Sequence, residues 1–293
     1  MPPATQDIKK LVILAIASDD ELMEQLVLKG GHAIELVQRR GNKLSRISND
    51  FDFSMEGSFD DDLVRVKVRL ERTITDTFAE HGLVVFDYDF AIRPSEVSES
   101  VRDIWGGYQL SFKVTSPENQ AKASGNMDKL RREALPVQSN GSTRIEVDIS
   151  KFEYVGRKQE FAVDGFRIYI YSPEMIVFEK LRAICQQNPH YADIIPGYRP
   201  RARARDFYDI PMLVDQFKID PRTPENKMLI EVIFEAKRVP LSYIREIRNH
   251  QDIHRGDWQS LLDTLPALER EEVREFEDYA RYITALFEPL TFP

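Results

Sequence analysis

The sequence predicts a mixed α/β (α+β) domain over residues 1–171, followed by a mainly helical domain over residues 172–293. Two observations predict this division. Alternation of apolar and polar residues, typical of half-buried strands, occurs at 48–54, 83–92, 107–115, 143–150 and 165–171. Ser172-Pro173-Glu174 then starts a helix with proline at its first position, and helical spacing continues to the end. We therefore expect a mixed sheet with flanking helices, followed by a helical region.

Capping residues mark the first predicted helix and the turn after it. Ser18 and Glu21 have the spacing of a capping box, in which the two residues bond free backbone N–H groups at a helix start. The pattern predicts a helix over residues 19–29, which Gly30 and Gly31 interrupt. Helical spacing resumes directly after the glycines, so we expect them at the start of a second helix.

Similar signals place the remaining helices. Ser58, with an acidic run close behind it, predicts the start of a long helix that Gly82 ends. Residues 116–140 are polar and contain proline and glycine, so we expect an irregular excursion there. In the second domain, helices are predicted over residues 173–187, 203–217, 225–238, 256–264 and 269–288.

The composition is ordinary for a soluble globular protein and excludes several classes. No run of about 18 apolar residues exists, so we expect no transmembrane helix. The short apolar run near the N terminus leads into acidic residues, unlike a signal peptide. Cys185 is the only cysteine, which excludes an internal disulfide and a zinc site built on several cysteines. We therefore expect a cytoplasmic protein without a membrane partner.

The charge of the chain limits how it can bind nucleic acid. A net charge of -9 argues against a broad, non-specific nucleic-acid binder, but it allows a local basic groove. One stretch of the otherwise acidic chain is a candidate for such a groove, with arginine at Arg199, Arg201, Arg203 and Arg205. A solvated surface is the alternative interpretation of the same residues.

A pair of aspartates alternates with phenylalanines on the first predicted strand. Asp50 and Asp52 share one face, roughly 7 Å apart at Cα, while Phe51 and Phe53 face inward. Two carboxylates this close repel each other unless a cation lies between them. Mg²⁺ prefers one or two carboxylates, water and substrate phosphates. The pair therefore indicates a Mg²⁺ site, and an exposed edge strand with a solvated acidic face is the alternative.

Two further features favour a phosphate site near these carboxylates. Asp148 lies on the polar face of the strand over 143–150 and can supply a third carboxylate if the two strands are neighbours. Gly30 and Gly31 lie at a predicted helix start, where free N–H groups and the helix dipole favour an anion. Glycine also lets a phosphate approach the backbone closely. A helix corner that simply needs glycine explains the pair equally well.

Two charged residues occupy apolar helix stripes. At about 100° per residue, Lys180 lies between Ile176 and Ile184, and Asp206 lies on the stripe that contains Ile210. A buried charge is costly unless it is paired. We expect Lys180 and Asp206 to pair with each other or to face a polar cavity, and a purely structural salt bridge is the alternative.

The order of these features resembles one family. Five segments carry the resemblance, and they span residues 28–210: LKGGHAIEL, SRISNDFDFS, IEVDIS, MIVFEKLRAI and RARDFYDI. The set is similar to the AbiEii-type nucleotidyltransferases, the toxin component of type IV toxin–antitoxin and phage abortive-infection systems. MenT-type tRNA nucleotidyltransferases are related to this family. The resemblance implies a nucleotidyltransferase-like mixed sheet for the first domain.

The resemblance also implies roles for particular residues. It makes Asp50 and Asp52 the metal ligands and Asp148 a third carboxylate. It makes Lys180 and Asp206 the essential lysine and the later essential aspartate, both contributed by the helical domain. The nucleotide would then be held by Gly30, Gly31, Arg46, Ser48 and Lys180.

The activity implied by the resemblance is Mg²⁺-dependent transfer of a nucleotide from a nucleoside triphosphate (NTP) to RNA. The expected acceptor is a tRNA 3′ end, and its modification would block translation. The stretch Arg199–Arg205 would contact RNA phosphates. An antitoxin encoded alongside is the expected protein partner. Two alternatives remain: a catalytically inactive relative that binds a nucleotide or a partner, and a metal-dependent nuclease, since paired acids serve both chemistries.

Overall fold

The structure is a computed structural model that describes residues 5–39, 50–138, 141–265 and 270–292. Within these residues, seven strands form one sheet: β1 (Val27–Lys29), β2 (Phe51–Ser54), β3 (Val84–Arg93), β4 (Gly107–Thr115), β5 (Arg144–Ser150), β6 (Gln159–Val163) and β7 (Phe166–Ile170).

Helices surround the sheet and make up most of the chain after it. Those before the last strand are α1 (Thr5–Ala17), α2 (Asp20–Gln25), α3 (Gly30–Arg39), α4 (Leu63–Glu80), α5 (Pro117–Ala123) and α6 (Met127–Arg132). Those after it are α7 (Pro173–Cys185), α8 (Ala204–Phe217), α9 (Pro224–Glu235), α10 (Ile247–Arg255), α11 (Trp258–Leu262) and α12 (Phe276–Phe287). Within the described residues, no helix is both long and apolar enough to span a bilayer.

The strands run in the order β3-β4-β5-β2-β1-β7-β6, so the strands with predicted site residues are neighbours. β2 is parallel to β5 and antiparallel to β1. Because register fixes which residues stand side by side, Asp52 has Asp148 on one side and Lys29 on the other. The mixed α/β fold class predicted from the sequence is confirmed.

The helix predicted over 19–29 is wrong in its second half. α2 ends at Gln25, and Val27–Lys29 form β1, which is paired on both edges. Asp19 caps α2 by accepting hydrogen bonds from the backbone N–H groups of Glu21 and Leu22, whereas Ser18 Oγ donates to the carbonyl of Ala15. Pairing with β2 and β7 therefore outweighs the helical spacing of this segment.

The strand predicted over 48–54 is shorter in the described residues. It begins at Phe51, and Asp50 stands in a bend just before it; residues 48 and 49 lie outside the described residues. Phe51 and Phe53 are buried as expected, with 1% and 0% exposure. The described part of the segment therefore anchors Asp52 firmly, while Asp50 lies at the entrance to the strand.

Several further segments differ from expectation. The excursion over 116–140 contains two short helices, α5 and α6, each with a side-chain cap, from Ser116 and Asn126 respectively. Ser58 Oγ accepts a hydrogen bond from the N–H of Asp60, two residues ahead of it, and the α-helix starts only at Leu63. α1, β6 and α10 were not predicted as separate elements. The other strands and helices lie within a few residues of their predicted bounds, apart from the last helix, for which the structure has Phe276–Phe287.

One large buried cluster includes residues from both predicted domains, from Ile8 near the N terminus to Leu290 near the C terminus. α3 packs against both β2 and α7, which joins the strand that carries Asp52 to the first helix of the second half. The division at residues 171 and 172 coincides with the step from the last strand to α7, and its status as a domain boundary stays a prediction.

Candidate functional site

A cavity of about 790 Å³ lies along the polar face of β1, β2 and β5 and beneath the chain that follows α7. Its walls include Asp52 and Asp148 from the sheet, Gly30 from the start of α3 and Lys180 from α7. The basic stretch contributes Arg199, Arg201 and Arg203. Candidate site residues that were predicted from separate segments of the sequence therefore line the same cavity.

Asp52 and Asp148 form the acidic centre of the cavity. They are direct neighbours on parallel strands, and Gln109 donates a hydrogen bond of 3.1 Å to Asp148 Oδ1. Desolvation by the surrounding protein, together with the charges of Asp148 and Asp50, raises the pKa of Asp52 to about 6, although Lys29 opposes the shift. Desolvation and the Asp50 charge also raise the pKa of Asp148. A bound cation would therefore stabilise the charged form of both carboxylates.

Asp50 is exposed and does not line the cavity wall. Its charge nevertheless acts on both Asp52 and Asp148, since it contributes to the raised pKa of each. The predicted D-x-D pair therefore has one member inside the cavity and one at its margin.

Gly30 is the glycine that the site requires. Its φ of +66° lies in the left-handed region, and an added Cβ would stand 2.4 Å from Asp52 Oδ2. Any larger residue would therefore displace the carboxylate as well as strain the backbone. Gly31 is buried within α3 and does not line the cavity.

Lys180 lies in a buried ion-pair cluster at the cavity wall. Its Nζ is 2.5 Å from Asp206 Oδ1 and 2.8 Å from Asp209 Oδ2, and both aspartates are buried. Burial raises the pKa of Asp206, but the charges of Arg203 and Lys180 outweigh burial and leave that pKa below its ordinary value. The sequence predicted that Lys180 would pair with Asp206 or face a polar cavity. In the structure it does both.

A buried polar network forms the floor below the carboxylates. Lys29 Nζ donates to Glu153 Oε2 at 2.6 Å, and the same carboxylate accepts hydrogen bonds from Ser54 and Tyr171. Lys237 Nζ lies 3.8 Å from Glu153 Oε1 and donates to two backbone carbonyls. Burial lowers the pKa of Lys237 to about 8. The network fixes the ends of β1, β2 and β5 relative to one another.

The remaining predicted residues differ in their positions. Arg203 Nε lies 2.5 Å from Asp206 Oδ2, so Arg203 belongs to the ion-pair cluster around Lys180 and also lines the cavity. Arg205 does not line the cavity. Arg46 and Ser48 lie outside the described residues, and their predicted contact with the nucleotide stays a prediction.

Several residues of the site were not predicted from the sequence. Asp209 is fully buried and pairs with Lys180. The spacing of Asp209, three residues after Asp206, was the available signal. Lys29, Glu153 and Lys237 come from distant segments, so only the tertiary structure reveals their network.

The donor atoms present suit a magnesium ion. Among the described residues, no group of three or more histidine, cysteine, aspartate or glutamate side chains is arranged to hold a metal alone. Mg²⁺ does not need such a cage, because one or two carboxylates with water and substrate phosphates satisfy it. Asp52 and Asp148 supply two carboxylates that crowd each other, so the residues fit this ion.

The solved structures that are similar to this chain include two proteins from Helicobacter pylori. JHP933 is 17% identical, with 97% of this chain and 89% of that chain covered and a TM-score of 0.46. A second H. pylori protein, described as a candidate nucleotidyltransferase, is 16% identical, with coverage of 97% and 92% and a TM-score of 0.45. A nucleotidyltransferase-like antigen of Paracoccidioides brasiliensis is 13% identical, with coverage of 80% and 92% and a TM-score of 0.36. No curated protein sequence matches the chain.

The family comparison covers nearly the whole chain. The profile described as "Nucleotidyl transferase AbiEii toxin, Type IV TA system" matches residues 12–282. This range contains every described strand and the helices that carry Lys180 and Asp206. The chain therefore belongs to the AbiEii family of nucleotidyltransferase toxins of type IV toxin–antitoxin systems.

Proposed function

We propose that this nucleotidyltransferase moves a nucleotide from an NTP to RNA with the help of Mg²⁺, and that a tRNA 3′ end is its acceptor. Blocking that end would stop translation. Family membership establishes nucleotidyl transfer and implies an antitoxin partner. One observation carries the proposal for this chain: Asp52 and Asp148 stand side by side, with raised pKa values, in a cavity that Gly30 and Lys180 also line.

Asp52 and Asp148, with Asp50 at the margin, would hold the divalent ion. When bound, Mg²⁺ neutralises charge on the triphosphate and lowers the pKa of an acceptor hydroxyl. The chain's own contribution is a fixed pair of oxygen ligands, since Phe51 and Phe53 bury the strand on both sides of Asp52.

The reaction balances as a substitution at phosphorus. The 3′ hydroxyl oxygen of the RNA forms a bond to the α-phosphorus, the bond from that phosphorus to the bridging oxygen breaks, and pyrophosphate leaves. The hydroxyl proton needs an acceptor, and Asp148 is the more exposed carboxylate of the pair. Its hydrogen bond from Gln109 orients it on the sheet.

Positive charge around the cavity would stabilise the triphosphate and the leaving pyrophosphate. For Lys180, this role is supported by its two aspartates, which hold its ammonium group at the cavity wall. Gly30 lets a phosphate approach the backbone at the start of α3. Arg199, Arg201 and Arg203 line the same cavity and would contact the phosphates of an RNA chain.

The test is incubation of the protein with end-labelled tRNA, Mg²⁺ and each NTP in turn. We expect a longer RNA with one or more NTPs in wild type and none with Asp52→Asn. Asp76→Asn, an exposed aspartate on α4, is the matched control and should extend RNA normally. A shortened RNA would favour the nuclease alternative, and unchanged RNA with every NTP would favour an inactive relative.

A further inference from the structure

Two aromatic rings line a part of the cavity that the transfer chemistry leaves unused. Trp105 and Tyr198 meet edge to face, with ring centroids 5.9 Å apart, and both are only partly buried. Each lines the cavity. Exposed aromatic surface inside a polar cavity is a stacking platform for a planar group.

The platform is held in place by a buried glutamine. Gln187 Oε1 accepts hydrogen bonds from the Tyr198 hydroxyl at 2.9 Å and from the backbone N–H of Arg201 at 2.8 Å. Tyr191 packs edge to face against Tyr198, with centroids 4.9 Å apart. The ring and the basic stretch beside it are therefore fixed together before any ligand binds.

Three exposed arginines border the platform. Arg93, Arg199 and Arg201 line the cavity, and within the described part of the chain none of their side chains makes an ion pair. Arg203, by contrast, is held by Asp206. Unpaired cations that converge in a chain of net charge -9 favour an anionic ligand.

The sheet order separates Trp105 and Arg93 from the proposed phosphate site, and Tyr198 meets Trp105 from the chain that follows α7. Gly30 follows β1 and Lys180 is on the helix after β7, so both belong to the β1 side of Asp52. Arg93 is the last residue of β3 and pairs with Gly107, the first residue of β4. Trp105 lies two residues before β4. They belong to the β4 side of Asp148. The two sides suit two different reactants that meet at the carboxylates.

We propose that Trp105 and Tyr198, with Arg199 and Arg201, bind the single-stranded end of the acceptor RNA. This inference rests on the proposed function and names the acceptor site within it. The rings stack on unpaired bases and the arginines contact the phosphates between them, which is the usual combination for single-stranded nucleic acid. The cavity of about 790 Å³, which the RNA would share with the NTP, has no room for a double helix.

Tryptophan fluorescence tests this site without any catalysis. The chain has two tryptophans, Trp105 and Trp258, so Trp258→Phe leaves Trp105 as the only reporter. We expect a short single-stranded oligoribonucleotide, added without NTP, to quench this fluorescence in a saturable way. The fully duplex form of the same oligonucleotide should not quench it. Trp105→Phe, which retains Trp258, is the blank.

Steady-state kinetics give the second arm. Trp105→Ala should raise the KM for RNA about ten- to a hundredfold, the loss produced by removing one stacking ring, and leave the KM for NTP within about twofold. Arg201→Ala should weaken RNA binding and reduce its dependence on salt. Arg281→Ala, an exposed arginine on α12, is the matched control and should change neither. Melting temperatures show which variants are folded.

The outcomes separate this site from the proposed function. Quenching by RNA in a protein that extends no RNA would retain the site and overturn the transfer. Extension of RNA without quenching, or with an unchanged KM for RNA in folded Trp105→Ala, would overturn the site alone. Quenching by NTP as strong as by RNA would assign the rings to the incoming base and contradict the proposal.

Discussion

At the scale of single residues, Asp52 is a position where burial opposes the charge of the side chain. Its pKa of about 6 means that the folded protein disfavours the charged carboxylate, first through desolvation and then through neighbouring aspartates. Asp52→Asn should therefore keep or raise the melting temperature while activity falls at least about a hundredfold. The measurement is thermal unfolding and RNA extension on one preparation, and a folded variant of near-normal activity would refute the metal role.

Gly30 allows a prediction with an internal control. Gly30→Ala strains a backbone at φ +66° and drives a Cβ against the Asp52 carboxylate. Gly82→Ala meets the same strain at φ +71° but has no atom within 4 Å of the new Cβ. Gly82→Ala should lose about 1–2 kcal/mol of unfolding free energy and Gly30→Ala at least as much, and only Gly30→Ala should lose nucleotide binding. Equal nucleotide affinity in the two variants would exclude close approach at Gly30.

Lys180 has both a structural and a proposed catalytic role, and two substitutions separate them. Lys180→Met removes the lysine from two buried aspartates, so the unfolding free energy should fall by about 3–5 kcal/mol. Lys180→Arg keeps the charge but not the compact ammonium group, so stability should largely return. If Lys180 contacts the triphosphate, the folded arginine variant still loses transfer activity. Full activity in Lys180→Arg would make the residue purely structural.

At the scale of elements, the local alternation of residues predicts the long strands, whereas pairing with distant strands determines that the short segment β1 is a strand. β4 lies at its predicted bounds, because nine residues show the alternation clearly. β1 has three residues, too few for a period, and its strand state comes from pairing with β2 and β7. The capping box that starts at Ser18 gives way to Asp19, whose carboxylate also binds Arg69 of α4. The local sequence shows neither the strands that pair with β1 nor the arginine that binds Asp19.

The buried network below the site makes stability depend on pH. Burial raises the pKa of Glu153, but the charges of Lys29 and Lys237 outweigh it and hold that pKa well below its ordinary value. The charged carboxylate therefore stabilises the fold above its unfolded pKa of about 4.3, and this stabilisation is lost as the pH falls toward the folded value. Glu153→Gln should remove the contribution at neutral pH.

Urea unfolding across a pH series checks this network. The difference in unfolding free energy between wild type and Glu153→Gln should be greatest near neutral pH and should shrink below about pH 4. Glu235→Gln, an exposed position on α9, is the control and should track wild type. A difference that stays constant with pH would mean that the network does not depend on the charge of Glu153.

At the scale of the whole molecule, the candidate site joins segments from both halves of the chain. The sequence points to Asp52 and Asp148 because they lie on the polar faces of alternating strands. It points to Lys180 and Asp206 because each is a charge within an apolar helix stripe. It does not point to Lys237, whose side chain reaches the backbone at Ile104 and Lys151 only in the folded chain. The local sequence around such a residue shows no unusual arrangement of apolar and charged residues, so only the tertiary structure reveals its role.

The proposed reaction is transfer of the α-phosphate nucleotide to RNA at the Asp52–Asp148 pair. Its most direct measurement compares NTP labelled at the α-phosphate with the same NTP labelled at the γ-phosphate, in the presence of tRNA and Mg²⁺. We predict that the α label enters the RNA, that the γ label appears in pyrophosphate, and that Asp52→Asn abolishes both. Entry of the γ label into RNA, or shortening of the tRNA in the absence of NTP, would contradict this reaction.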